Sequence, residues 1–191
     1  MKQSIFYLFI FFLSVSFTTD SRVYLDRSEA KQAFEFLNDI RTNPAGYARE
    51  LRLQKNAKTT TTKLIWNKEL AKAAEAKAYD MAGRNYFNHI DPDGYGINYY
   101  IKKNGYSLDP AWTNSKQNNF FESIAAGVDN GEEAIRLLII DKGFPSQGHR
   151  KHLLGMGEWN ASLTDIGIGF ARRNSGSSYT TYVSIIIAKH N

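Results

Sequence analysis

The apolar positions of this chain change period along its length. From Asp26 to Ile40 they recur at helical spacing, at Ala30, Ala33, Phe34, Leu37 and Ile40. Asp26 with Glu29 three residues on forms a capping box ahead of this run. Pro44 ends the run, because a residue before proline avoids the helical region. A second helix is predicted from about Lys68 to Gly83, with Leu70, Ala73, Ala74, Ala78 and Met81 on its inner side. "GINYYIKKNG" predicts a shorter third helix, and Asn130 as N-cap opens a fourth that runs through "GEEAIRLLII" to about Asp141. The period then falls to two. "DIGIGFA" and "YTTYVSIIIA" alternate like strands around the Gly/Ser turn in "RRNSGSS", with Val183, Ile185 and Ile187 on one face. "FFESIAAG" reads as another short strand. Helices come first and strands late and antiparallel, which predicts the α+β class.

The amino terminus has a different pattern. Lys2 precedes the apolar run "IFYLFIFFLSVSF" and the small polar "TTD", the layout of a secretory signal peptide over residues 1–19. The run is short of the roughly 20 residues that span a bilayer, so no transmembrane anchor is expected. Residues 20–191 then form a single domain without repeats or a Pro/Ser linker. The expected location is secreted, extracellular or periplasmic. A chain of 191 residues buries a core without covalent staples. The absence of cysteine excludes disulfides, a cysteine nucleophile and thiolate metal sites. The net charge of +5 is spread out, with Lys63, Lys68, Lys72 and Lys77 set among acids such as Glu69 and Glu75. This reads as a solvated surface without the basic stripe of a nucleic-acid binder.

Polar chemistry concentrates in "DKGFPSQGHRKHLL", residues 141–154, where His149 and His152 stand three apart. His89 lies in "FNHIDPDG", after the second helix. Glu122 sits in an apolar stretch, where a buried acid needs a partner. Strand alternation also allows Phe121 and Ser123 to point inward and Glu122 to face water. Asp141 falls at a helix end, where its charge opposes the helix dipole. No G-x-S-x-G and no H-E-x-x-H is present, and Ser123 and Ser146 near the histidines make no triad on sequence alone. The aromatic segments "YGINYYI" and "AWTNSKQNNFF" supply either a ligand surface or core.

Several of these segments fall in the order of a known family. "FLNDIRTNPAGYA", "LIWNKELAKAAEAKAYDMA", "FNHIDPDGYGINYYIKKNGY", "ESIAAG", "PSQGHRKHLL" and "DIGIGFA" together resemble the CAP superfamily, or SCP domain, of cysteine-rich secretory proteins, venom allergens and pathogenesis-related proteins. The resemblance implies an α-β-α sandwich with a central antiparallel sheet. It also implies a cleft lined by the tetrad His89, Glu122, Asp141 and His149. His152 has no counterpart and is expected at the surface or in support. The chain departs from the family at Ser123, where asparagine is usual, and at Asp141, where animal members often have glutamate. Leu138 and Ile139 replace the aromatic residues before that acid. The lack of cysteine resembles the bare-domain, bacterial-type branch.

The resemblance implies a secreted binding protein. Its cleft would take a divalent metal such as Zn²⁺ on His89 and His149 and dock a lipid, a small ligand or a protein partner. Two alternatives stand beside it: an extracellular hydrolase using the cleft residues, and an interaction domain whose tetrad only ties the cleft walls together.

Overall fold

A computed structural model describes residues 22–54 and 57–190, so the expected signal segment 1–19 lies outside the described residues. Helix α1, Arg27–Thr42, starts where Asp26 accepts from the Glu29 amide. Asn43 closes α1 and caps the short α2, Pro44–Tyr47, whose proline fills a first-turn position that needs no N–H donor. Helix α3, Lys68–Arg84, begins at Asn67, which accepts from the Glu69 and Leu70 amides, and ends at the left-handed Asn85. Helix α4 is Ile97–Lys103, and a 3₁₀ turn covers Pro110–Thr113. Helix α5, Gly131–Ile140, runs between the caps Asn130 and Asp141. The short α6, Gly148–Leu153, and α7, Gly157–Ala161, follow.

Strands β3 (Glu122–Ala126), β4 (Asp165–Arg173) and β5 (Thr181–Ala188) form the antiparallel centre of a five-stranded sheet. Two short strands extend it: β1 (Val23–Leu25), antiparallel to the end of β4, and β2 (Ile65–Trp66), parallel to its start. The path is β1-β4-β5-β3, so β3 is terminal and pairs with β5, with Glu122 opposite Ile186 and Ile124 opposite Ser184.

Helices cover both faces, which gives the α-β-α sandwich. Helix α3 lies against β4 and β5 on one face, and α1 packs on β4 and α5 from the other. Every residue of β5 is buried, so strand alternation does not separate a wet face from a dry one. The close approach of α3 depends on Gly167 and Gly169. A Cβ at Gly167 would collide with the Leu70 backbone, and one at Gly169 with the Ala74 carbonyl. The expected inner positions of α3 are all fully buried. In α1 the buried phenylalanine is Phe36, while the expected Phe34 is half-buried and meets Trp66 edge-on at 5.4 Å.

Candidate functional site

The four candidate residues arrive on four different segments and pair off as two histidine–carboxylate contacts. His89 comes from the loop after α3 and Glu122 from the start of β3. His89 Nδ1 is 2.9 Å from Glu122 Oε2, and the Glu122 side chain is fully buried. The other oxygen, Oε1, accepts from Ser184 Oγ of β5 at 2.7 Å. Glu122 therefore points inward to partners, as does its neighbour Ser123 on the opposite face.

The second pair is local. Asp141 caps α5 in the left-handed region at φ 51°, a conformation aspartate tolerates better than most residues. The turn aims its side chain at α6, where Oδ1 lies 2.8 Å from His149 Nδ1 and Oδ2 accepts from the Arg150 amide at 3.3 Å. Arg150 fixes the two helices together, since its Nε and Nη2 donate to the last carbonyls of α5, Ile139 and Ile140. Asp141, although shorter than glutamate, thus reaches its histidine through the bend of the chain.

Each pair has one chemical consequence. A carboxylate can only accept, so Nδ1 of each ring carries a proton and Nε2 is the nitrogen turned away from the acid. The two rings remain partly open, with 35% of the His89 side chain and 23% of the His149 side chain exposed. Both line a cleft of about 800 Å³ that runs past Ile124, Leu137 and Phe144.

Of the two places expected for His152, surface or support, the structure shows the second: it is buried, with Nδ1 2.8 Å from Ser123 Oγ and Nε2 3.4 Å from the Ile187 carbonyl. Burial drops its pKa to about 4, with smaller contributions of the same sign from His149, Arg41 and His89. The ring is neutral. The Ser123 hydroxyl donates to Nδ1, and the Nε2 proton faces Ile187. Its two nitrogens are engaged, so it supports the interior and offers nothing to a ligand set with His149.

Lys77 also departs from the surface reading. It is fully buried, and its Nζ donates to the His89 carbonyl at 2.9 Å and to Tyr86 Oη at 3.2 Å. Burial lowers its pKa, and the charges of Glu122, Asp91 and Asp80 oppose that shift. Lys77 therefore anchors the loop of one histidine while compensating the buried carboxylate that orients it. Its position among Ala73, Ala74, Ala78 and Met81 was the available signal. Asp91 stiffens the same loop. It accepts from Tyr100 Oη at 2.6 Å and from the Asp93 and Tyr95 amides. Burial disfavours its charge, but these bonds prevail and hold it below the usual carboxylate range.

Among the described residues no group of three or more histidine, aspartate or glutamate side chains is arranged to hold a metal. Any cation at the cleft would have Nε2 of His89 and Nε2 of His149 as its imidazole donors, with its other positions left to water.

A cysteine-free sandwich with two histidine–carboxylate pairs on one cleft defines the class. The profile of the CAP, or cysteine-rich secretory protein, family matches residues 34–186, and the chain belongs to that family. It is 35% identical over 112 residues to the uncharacterized protein YkwD of Bacillus subtilis strain 168, covering 58% of this chain and 35% of that protein. The chain thus spans about a third of the length of this curated relative. A crystal structure of an extracellular protein containing an SCP domain from Bacillus anthracis strain Ames superposes with a TM-score of 0.51. It is 24% identical and covers 86% of this chain and 41% of that one. No helix among the described residues is long and apolar enough to cross a membrane.

Proposed function

We propose that this chain is an exported binding protein whose cleft takes a divalent cation on Nε2 of His89 and Nε2 of His149 and docks a ligand beside it. The observation that carries the reading is the pairing of each Nδ1 with a buried carboxylate, Glu122 at 2.9 Å and Asp141 at 2.8 Å. A carboxylate behind an imidazole fixes the tautomer and raises the basicity of the outward nitrogen, the usual support of a metal-bound histidine. A bound cation would supply Lewis acidity to the cleft. The protein would supply two ligands, a fixed orientation and an apolar wall.

The hydrolase reading has less support. The hydroxyl nearest to a histidine, Ser123, is buried and donates to His152, whose own burial makes it a poor base. The relative described as extracellular and the predicted signal segment favour export.

Calorimetric titration of the chelator-stripped protein with Zn²⁺ at neutral pH tests the proposal. Wild type is expected to bind reversibly and with modest affinity, and His89→Ala to lose that binding. Heat at background level in wild type, or identical isotherms for the two proteins, removes the cation and leaves the pairs as wall ties.

A further inference from the structure

Strand β3 ends the sheet and has one bare edge. Just outside it, Phe121 accepts from the Ile187 amide and Gly127 donates to the Thr181 carbonyl, both at 3.0 Å. With the register of β3 on β5, this makes the odd-numbered residues the ones that exchange hydrogen bonds with β5. The amides and carbonyls of Glu122, Ile124 and Ala126 point the other way. Among the described residues no backbone group of another element bonds to them. Exposure follows the same alternation: Ser123 and Ala125 are 1% exposed, whereas Glu122 and Ala126 are half-buried. The Glu122 side chain is fully buried, so the open surface of that residue is its main chain.

This edge borders the cleft, which Ile124, Ala125 and Ala126 line together with α5. Strand and helix are matched in length: five strand residues span about 16 Å and ten helical residues about 15 Å. Leu137 of α5 and Phe87 of the loop after α3 face the same space and are 49% and 42% exposed. The rim is positive. Arg136 is held by Glu50 and Glu132, and Glu133 by the Asp129 amide, which leaves Arg52 and Lys142 as available charges. The acids behind His89 and His149 are buried and do not offset them at the surface.

We propose that an extended, acidic peptide segment docks in this groove as a sixth strand beside β3, bonded to the main chain of Glu122, Ile124 and Ala126. The bare edge offers N–H and C=O groups in alternation at strand spacing. Another extended backbone matches that pattern, and a lipid chain does not. The side chains of an added strand alternate between two faces, so one set meets Leu137 and the other Phe87. Its carboxylates meet Arg52 and Lys142. The inference rests on the reading of the cleft as a binding site and does not require the cation.

The test uses the full chain and a blocked peptide of glutamate, valine, threonine, valine and glutamate. Amide exchange followed by NMR is expected to be faster at Glu122, Ile124 and Ala126 than at Ser123 and Ala125. The peptide is expected to slow the first set about tenfold or more. Calorimetry then compares two versions of the peptide, N-methylated on alternate amides so that each blocks one edge and keeps every side chain. The version blocked on the edge that faces β3 is expected to bind roughly 30-fold more weakly, for two hydrogen bonds lost, and the other to bind like the parent. Ala126→Pro removes an outward N–H and breaks no bond to β5, so it is expected to keep the urea midpoint and to weaken the peptide about fivefold. Lysine in place of both glutamates is expected to weaken binding at low salt. Equal effects of the two methylation patterns, or binding without protection of the three amides, overturns strand addition and keeps the cleft as a binding site. Protection that follows protein concentration without peptide gives the edge to a second copy of the chain and overturns the peptide. Silence at millimolar peptide overturns this inference, while the Zn²⁺ titration separately decides the reading beneath it.

Discussion

Ser123 Oγ and His152 Nδ1 are 2.8 Å apart in the interior, on the face of β3 opposite Glu122. The contact makes two neighbouring strand residues serve two different histidines. It also separates the roles of His149 and His152. His152→Ala removes a buried ring and leaves the Ser123 hydroxyl without its acceptor, so it is expected to cost roughly 2–4 kcal/mol in urea unfolding. His149→Asn, which keeps an N–H donor for the buried Asp141 Oδ1 and removes Nε2, is expected to unfold near the wild-type midpoint but to lose Zn²⁺. Equal stability losses in the two variants would contradict this division.

His152 also sets an acid sensitivity. Its folded-state pKa of about 4 lies below the ordinary 6.5, so the unfolded chain binds the proton more readily. The resulting stability is complete above about pH 6.5 and is lost as pH falls toward 4, by roughly 3 kcal/mol in total. The carboxylates held below their usual range, Asp26 and Asp91, add losses only at lower pH. His152→Gln is expected to flatten the stability profile between pH 6.5 and 4. An unchanged slope in that window would assign the acid loss elsewhere.

Lys77→Met keeps the length of the side chain and removes its charge. The His89 carbonyl then loses a donor, and Glu122 loses the charge of a buried cation. The expected loss is about 2–4 kcal/mol, typical of breaking a buried charge arrangement. Amide exchange in the loop from Tyr86 to Tyr95 is expected to accelerate. A variant with full stability and unchanged exchange would mean that Lys77 does not anchor the loop.

Gly169→Ala places a methyl group against the Ala74 carbonyl of α3. Neither backbone has room to yield without separating helix from strand. The expected cost is at least about 3 kcal/mol, at the high end for a single added carbon. Gly83→Ala is the control, because nothing lies within 4 Å of its Cβ position. Equal melting temperatures for the two variants would refute the close-contact argument.

How much of this was legible in the sequence depends on the range of the determinant. Helix α5 was readable at both ends, because Asn130 and Asp141 act on their own neighbours. The hairpin of β4 and β5 was readable from its alternation. Strands β1 and β2, of three and two residues, exist through pairing with β4 and carry no period of their own. The direction of Glu122 was not readable, because both faces of β3 meet partners and alternation names no inside. Lys77 was counted with the surface charge although its helical neighbours are buried, since sequence does not reveal the carbonyl that receives it. The choice between surface and support for His152 stays open in the sequence for the same reason: its partners, Ser123 and Ile187, are 29 and 35 residues away. The tetrad His89, Glu122, Asp141 and His149 followed from the resemblance and not from spacing, and which acid pairs with which histidine is seen only in the structure.

Strand β3 joins the sheet through β5, and Ser184 of β5 holds the carboxylate that holds His89. Contacts between such distant segments form late in folding, after long loops have closed. The consequence concerns time. Both histidines and both acids are synthesised before the strand that assembles the first pair. A chain interrupted ahead of β5 would contain all four residues and lack the strand that holds Glu122 in place, so the histidine–carboxylate pairs are complete only once β5 has joined the sheet.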